Sequence, residues 1–187
     1  MMRLSEAAFA TRGKVIGQDA LFTSVGSDSR ALTPGQLFVA LRGEHFDGHD
    51  YAQSCLDHGA AAAMISTEQD NLSAALLVQD TRLALGELAA HWRNKFSIPL
   101  AAITGSNGKT TVKEMLASIL RAATGDDDSV LATQGNLNND IGLPLTLLKL
   151  RPQHRYAVAE MGMNHAGEIR YLTRIGRPTV VLVNNAT

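Results

Sequence analysis

One cysteine in 187 residues, Cys55, excludes an internal disulfide, so no covalent staple holds this chain. That fits a reducing compartment, and a cytoplasmic location is the expectation. No apolar run approaches the roughly 20 residues of a membrane-spanning helix. The N-terminus carries Arg3 and Glu6 and lacks the apolar stretch of a secretory signal, so membrane insertion is not expected. An excess of charge is missing too: 17 Lys and Arg stand against 18 Asp and Glu, a net charge of −1, which argues against a general nucleic-acid binder. Anionic ligands must therefore be met by local features such as helix N-termini and single basic residues. The chain also lacks repeats and low-complexity tracts. With 45% hydrophobic and 19% charged residues it is globular and can bury a real core, as one large or two small domains.

The stretch Thr104-Gly105-Ser106-Asn107-Gly108-Lys109-Thr110-Thr111 carries the chemistry. Leu100-Ala101-Ala102-Ile103 before it reads as a buried strand. Val112, Met115, Leu116, Ile119 and Leu120 after it recur at helical spacing. A glycine-rich turn between strand and helix is a phosphate cradle: the glycines let the backbone approach an anion, and the N–H groups of the helix start point at it. Lys109 is placed to reach the outer phosphates and the Thr110 hydroxyl to take one position on Mg²⁺. The usual first glycine of this motif is replaced by Ile103, so the match is to the shorter form T-G-x-x-G-K-T.

The remaining elements follow from pattern. Residues 4–11 read as a helix capped by Ser5, 21–25 as one strand, 37–41 as a buried strand after the Pro34-Gly35 turn, and 50–58 as a helix stopped by Gly59. Strands are expected over 61–65 and 75–78, then a helix over 81–96 capped by Asp80. Cys55 is a packing residue of the 50–58 helix. Pro99 breaks the chain, which puts a domain boundary at about residue 98. Beyond it, strands over 100–103, 129–133, 156–160 and 179–183 alternate with helices over 144–150 and 165–175. That argues a parallel sheet covered on both faces, an α/β fold. The acidic stretch 125–128 is a solvated loop.

Two further groups stand near the phosphate loop. Glu160 ends the 156–160 strand, where a carboxylate can hold Mg²⁺ directly or through water, or can be a capping glutamate. Asn138 and Asn139 offer neutral amides to a polar or phosphorylated ligand, or shape a turn.

Together these stretches resemble the Mur ligases, the ATP-dependent amide-forming enzymes of peptidoglycan precursor synthesis. The matching pieces are Asp28-Ser29-Arg30 with Pro34-Gly35 and Leu37-Phe38-Val39-Ala40, Asp47-Gly48-His49-Asp50, the phosphate loop, and Glu160-Met161-Gly162. The runs from Asn136 to Leu148 and from Glu160 to Ile169 look like the member that adds D-alanyl-D-alanine to a UDP-MurNAc-tripeptide. The resemblance implies a small N-terminal α/β domain over 1–98 that holds the UDP end. It implies the first part of a P-loop ATPase domain over 99–187. It implies ATP and Mg²⁺ as cofactors, and UDP-MurNAc-tripeptide and D-Ala-D-Ala as partners.

By the same resemblance, Gly105, Ser106, Asn107, Gly108, Lys109, Thr110 and Thr111 bind ATP, and Thr110 and Glu160 hold the metal. Lys109, Asn138 and Asn139 are the catalytic set. The UDP end meets Ser27, Asp28, Ser29, Arg30, Glu44, His45 and Phe46. Arg30 suits a diphosphate by charge and fork geometry; a salt bridge with Asp28 is the alternative for it. The family's third domain, its second-metal histidine and its carbamylated lysine are expected beyond Thr187. The chain alone is thus expected to be an N-terminal fragment that does not ligate. The rival readings are the family member that adds a diamino acid, and a nucleotide-binding module without catalysis.

Overall fold

The structure, a computed structural model, describes residues 1–185; the end of the 184–187 stretch lies outside the described residues. The chain divides into two compact units, Met1–Leu88 and Ala89–Thr187.

The first unit is built on a five-stranded sheet. Its strands are β2 (Lys14–Gly17), β4 (Ser24–Gly26), β5 (Gln36–Val39), β6 (Ala62–Ile65) and β7 (Ala74–Leu77), in the order β2-β7-β6-β5-β4. All neighbours run parallel except β2, which is antiparallel to β7. The parallel strands β5 and β6 are buried throughout and, apart from Gln36, apolar, the pattern of strands covered on both faces. Phe38, Ala63, Ile65 and Ala75 pack with Ala52 and Cys55 of α2 (Ala52–Asp57) in one core. Cys55 is thus a packing residue, and burial raises its thiol pKa.

Several expectations for this unit need correction. The 21–25 run is two strands in two sheets: β3 (Leu21–Phe22) pairs with β1 (Met2–Arg3), whereas β4 pairs with β5. Thr23 is the switch, its N–H donating to Gly35 O. Strand β2 was not anticipated. Its two apolar residues are only half-buried, and its place depends on β7, some sixty residues away. Ser5 does not cap α1 (Leu4–Thr11); Asp19 does, accepting from the Ser5 N–H at 2.8 Å and hydroxyl at 2.9 Å. The 50–58 helix starts as a 3-10 turn, Gly48–Tyr51, and becomes α-helical only at Ala52. Asp80 caps α3 (Thr81–Arg93) through the Arg82 and Leu83 N–H groups. That helix ends three residues earlier than its pattern suggested.

The second unit holds four parallel strands in the order β11-β8-β10-β9. They are β8 (Leu100–Thr104), β9 (Val130–Ala132), β10 (Tyr156–Glu160) and β11 (Val180–Val183). Three helices intervene: α4 (Lys109–Thr124), α5 (Gly142–Leu147) and α6 (Glu168–Gly176). Ile103, Val130 and Val158 of the sheet meet Ala117, Val112, Leu116 and Leu120 of α4. Met115 and Ile119 fit the same helical spacing but are exposed, so the buried stripe of α4 is narrower than the sequence pattern. Arg93 is buried and satisfied by three carbonyls, Gly176 O, Phe96 O and Ile98 O, which ties the end of α6 to the segment entering β8. Every residue of β11 is exposed. Among the described residues no helix is long and apolar enough to cross a membrane.

Candidate functional site: a phosphate loop and its carboxylate

In a parallel sheet, ligands sit beyond the carboxyl ends of the strands, because strand ends and helix starts converge there. Strand β8 delivers Thr104 to that edge and α4 starts five residues later. The turn between them needs its glycines. Gly105 has φ +134°, and a Cβ there would lie 1.6 Å from Asn184 O; Gly108 has φ +74° and is the N-cap of α4. The first-turn N–H groups of α4 have no intrahelical partner by construction, and they face the loop. Lys109 Nζ donates to Gly105 O at 2.7 Å and Ser106 O at 3.3 Å, so its ammonium sits over the loop.

The loop is held from the far edge of the sheet. Asn184 follows β11, and its N–H donates to Thr104 O while its Nδ2 donates to Asn107 O. Ser106 N–H donates to Asn185 O. Sequence reasoning missed Asn184. Its only signal there was its place just after a strand end.

Glu160 ends β10, the neighbour of β8, and is 2% exposed. Both carboxylate oxygens are used: Thr110 Oγ1 donates to Oε2 at 2.9 Å and Asn138 Nδ2 donates to Oε1 at 2.8 Å. Three side chains distant in sequence thus meet beside the phosphate loop. Asn138 O also accepts from the Gly162 N–H at 2.8 Å. A Cβ on Gly162 would lie 2.9 Å from Asn138 Oδ1, so a larger residue there would push the Asn138 side chain out of its place. Asn139 turns elsewhere: its Oδ1 accepts from the Ile141 and Gly142 N–H groups and starts α5. Its side chain shapes the turn, whereas that of Asn138 faces the carboxylate.

The donor set fits Mg²⁺ by its chemistry. A hydroxyl and a carboxylate are hard oxygen donors, and Mg²⁺ usually takes one or two protein oxygens and completes its shell with phosphates and water. Among the described residues no group of three or more His, Cys, Asp or Glu side chains gathers to hold a metal on protein ligands alone.

In the first unit, Ser27, Asp28, Ser29, Arg30 and Phe46 line one cleft of about 510 Å³, together with Phe38, Gly48 and Tyr51. Glu44 and His45 are exposed and do not line it. The Arg30 guanidinium forms a two-point pair with Asp28, Nε to Oδ1 at 2.9 Å and Nη2 to Oδ2 at 3.0 Å. This pairing with Arg30 holds the Asp28 carboxyl below its usual pKa.

The loop carrying Phe46 is anchored by Asp47. Its carboxylate accepts from the His49 N–H, the His49 ring and Arg42 Nε. Nε2 of His49 accepts from the Ser66 N–H at 2.9 Å, so Nδ1 carries the hydrogen and donates to Asp47. These bonds, the His49 N–H first, pull the Asp47 pKa to about 2. A carboxylate with a depressed folded pKa stabilises fully above its unfolded value of about 3.9, and that contribution is lost as pH falls toward the folded value. Acidification from pH 5 to pH 2 is therefore expected to loosen this loop, read as lower protection of the His49 and Ser66 amides relative to their intrinsic exchange rate at each pH. Asp47→Asn, which does not titrate, should remove most of that pH dependence.

The Mur ligase middle-domain family model matches residues 103–187, and the model described as the Mur ligase family catalytic domain matches residues 21–93. The chain belongs to the Mur ligase family. Among Mur ligases it is 48% identical over 182 residues to the UDP-N-acetylmuramoyl-tripeptide–D-alanyl-D-alanine ligase of Escherichia coli, covering 97% of this chain and 39% of that protein. The enzyme of the same name from Haemophilus influenzae is 46% identical, over 99% of this chain and 41% of that protein. A solved MurF ligase structure from Acinetobacter baumannii superposes with a TM-score of 0.88 at 41% identity, covering 97% of this chain and 40% of that one. MurF ligase from Thermotoga maritima in complex with ADP superposes with a TM-score of 0.76 at 34% identity, over 89% of this chain and 38% of that one. The chain spans about two fifths of the length of these Mur ligases.

Proposed function

We propose that the protein is an ATP-dependent ligase that joins D-alanyl-D-alanine to UDP-MurNAc-tripeptide in the cytoplasm. Residues 1–98 would serve the UDP end, and 99–187 would form the first part of the ATP-binding domain. The observation that carries this reading is the convergence of Thr110, Glu160 and Asn138 beside the phosphate loop. The names of the similar ligases supply the substrates.

The reaction joins two anions before it joins two peptides. A carboxylate of the UDP-linked tripeptide attacks the γ-phosphate of ATP, giving an acyl phosphate and ADP. The amine of D-alanyl-D-alanine then attacks the acyl carbon, loses a proton, and phosphate leaves as the amide forms. The protein must align these groups and offset their repulsion. The N–H groups of the loop and first turn of α4 would hold the phosphates. Lys109 would leave its loop carbonyls to follow the β- and γ-phosphates. Thr110 and Glu160 would hold Mg²⁺, which supplies charge neutralisation on the phosphate oxygens. Asn138, fixed against Glu160, would donate to the transferring phosphate or the acceptor carboxylate.

ADP release tests the assignment directly. It should require UDP-MurNAc-tripeptide and D-alanyl-D-alanine together. Turnover with a dipeptide acceptor and a free diamino acid would overturn it in favour of the neighbouring Mur ligase activity, and turnover without an acceptor would favour a simple nucleotidase.

The cleft of the first unit gives a separate expectation. Arg30 is well exposed and, among the described residues, its guanidinium pairs with its neighbour Asp28, so Arg30→Ala should leave the melting temperature unchanged. It should weaken binding of the UDP-linked substrate about tenfold, the loss of one charge-assisted phosphate contact. ATP binding should stay as it was, because the phosphate loop belongs to the other unit. Calorimetry with each nucleotide separates the two, and equal losses would make Arg30 a structural residue.

A further inference from the structure

Lys113 lies one turn beyond Thr110 on α4, and its side chain is fully buried. Lysine is almost never fully buried unless paired, because removing an ammonium from water is costly. Here it is paired twice: Nζ donates to Thr133 O at 2.7 Å and meets Glu114 Oε1 at 2.7 Å. Neither the phosphate loop nor the proposed metal donors use this ammonium.

Thr133 explains why a cation stands there. It follows the last residue of β9, and its N–H still joins the sheet by donating to Val158 O at 3.0 Å. Its carbonyl takes the Lys113 ammonium. Its Oγ1 accepts the N–H of Glu160 at 3.0 Å. One buried residue therefore joins α4, the end of β9 and the end of β10. The turn that leaves Thr133 closes through the Leu137 N–H to Gln134 O and ends at Asn138, whose carbonyl binds the Gly162 N–H. Thr110, Glu160 and Asn138 each sit on a different one of the segments that meet there.

We propose that Lys113 is a positioning residue for the metal–nucleotide site. Its ammonium pins the Thr133 carbonyl, so that the Thr133 hydroxyl fixes the backbone of Glu160 and the following turn delivers Asn138 to the carboxylate. An apolar side chain would fill the same space without the desolvation cost but would leave the Thr133 carbonyl without its donor. This inference rests on the reading of Thr110 and Glu160 as the Mg²⁺ donors.

Two variants and two readouts test it in the whole protein. Lys113→Met removes the ammonium and keeps the volume. Thr133→Val removes only the hydroxyl. In the absence of nucleotide, Lys113→Met should speed amide exchange at Glu160 and Gly162. Ala40 and Val78, whose amides are bonded within the other unit, should exchange at wild-type rates. With ATP, both variants should lose about 10- to 100-fold in Mg²⁺ affinity, the usual cost of removing a group that orients a metal ligand. ATP affinity in EDTA should be unchanged, since the phosphate loop and Lys109 remain. A merely space-filling lysine would lower the melting temperature and shift both affinities alike. Lys113→Arg, which keeps a cationic donor, should retain the Mg²⁺ response.

Wild-type Mg²⁺ affinity and Glu160 exchange in a folded Lys113→Met would overturn the proposal. If that variant does not fold, a wild-type Mg²⁺ response in Thr133→Val overturns it equally. Should the wild-type protein show no Mg²⁺-dependent ATP binding, the ATP reading of the site fails instead, and the exchange rates alone decide whether Lys113 positions Glu160.

Discussion

In the full-length protein, Lys109→Ala is expected to lower ligation by about 10²- to 10³-fold or more, the cost of losing a charge aimed at the transferring group. It should leave the fold intact. The ammonium rests on Gly105 O and Ser106 O, two carbonyls of an outer loop that water can reach when the lysine is gone. Truncating a side chain of this kind changes stability by about 0.5 kcal/mol at most. Among the described residues, the core packing of α4 is made by Val112, Leu116, Ala117 and Leu120, and Lys109 is not part of that cluster. Initial rates of ADP release together with a thermal melt measure both halves. Near-normal ligation by a folded Lys109→Ala protein would remove the ATP-site assignment, because the charge that meets the transferring phosphate would then lie elsewhere.

Glu160→Gln is the second large effect, and here the choice of glutamine matters. Glutamine reproduces the hydrogen bonds of the carboxylate: its oxygen can accept from Asn138 Nδ2 and its amide can donate to Thr110 Oγ1. The buried position stays satisfied and the melting temperature should barely move. Alanine at this position would leave Thr110 Oγ1 and the half-buried Asn138 Nδ2 without their acceptor, loosening the site and confusing the result. Glutamine removes only the charge that would oppose Mg²⁺. A metal's charge stabilisation is worth several kcal/mol, so ligation should fall on the order of 10²- to 10³-fold. Mg²⁺ affinity in the presence of ATP should fall with it, while ATP binding in EDTA persists. A folded Glu160→Gln with wild-type Mg²⁺ dependence would assign the metal to other oxygens.

Much of the local structure was legible from residues alone. Strand, glycine turn and helix around 100–120 follow from a short apolar run, two glycines and helical periodicity, all within about 20 residues. The Asp80 cap, the stop at Gly59 and the parallel second half were readable for the same reason: each depends on neighbours in the chain. Individual site residues could be named from motif and resemblance, but their grouping could not.

The tertiary structure decided what depends on distance along the chain. Thr110 and Glu160 are fifty residues apart and Asn138 and Glu160 twenty-two; the pairing of β10 with β8 brings the first two within hydrogen-bond range and its pairing with β9 the second two. The same long-range pairing splits the 21–25 run between two sheets, and a loop contact replaces Ser5 with Asp19 at the head of α1. In the sequence, Lys113 is one polar position among several on α4. Its burial is set by a carbonyl beyond the end of β9 that needs a donor. Periodicity and turn chemistry act over one or two turns, so the sequence by itself determined most of the helices and strands and the phosphate loop. Sheet register and the pairing of buried polar groups join segments tens of residues apart, so they are fixed only when the chain packs.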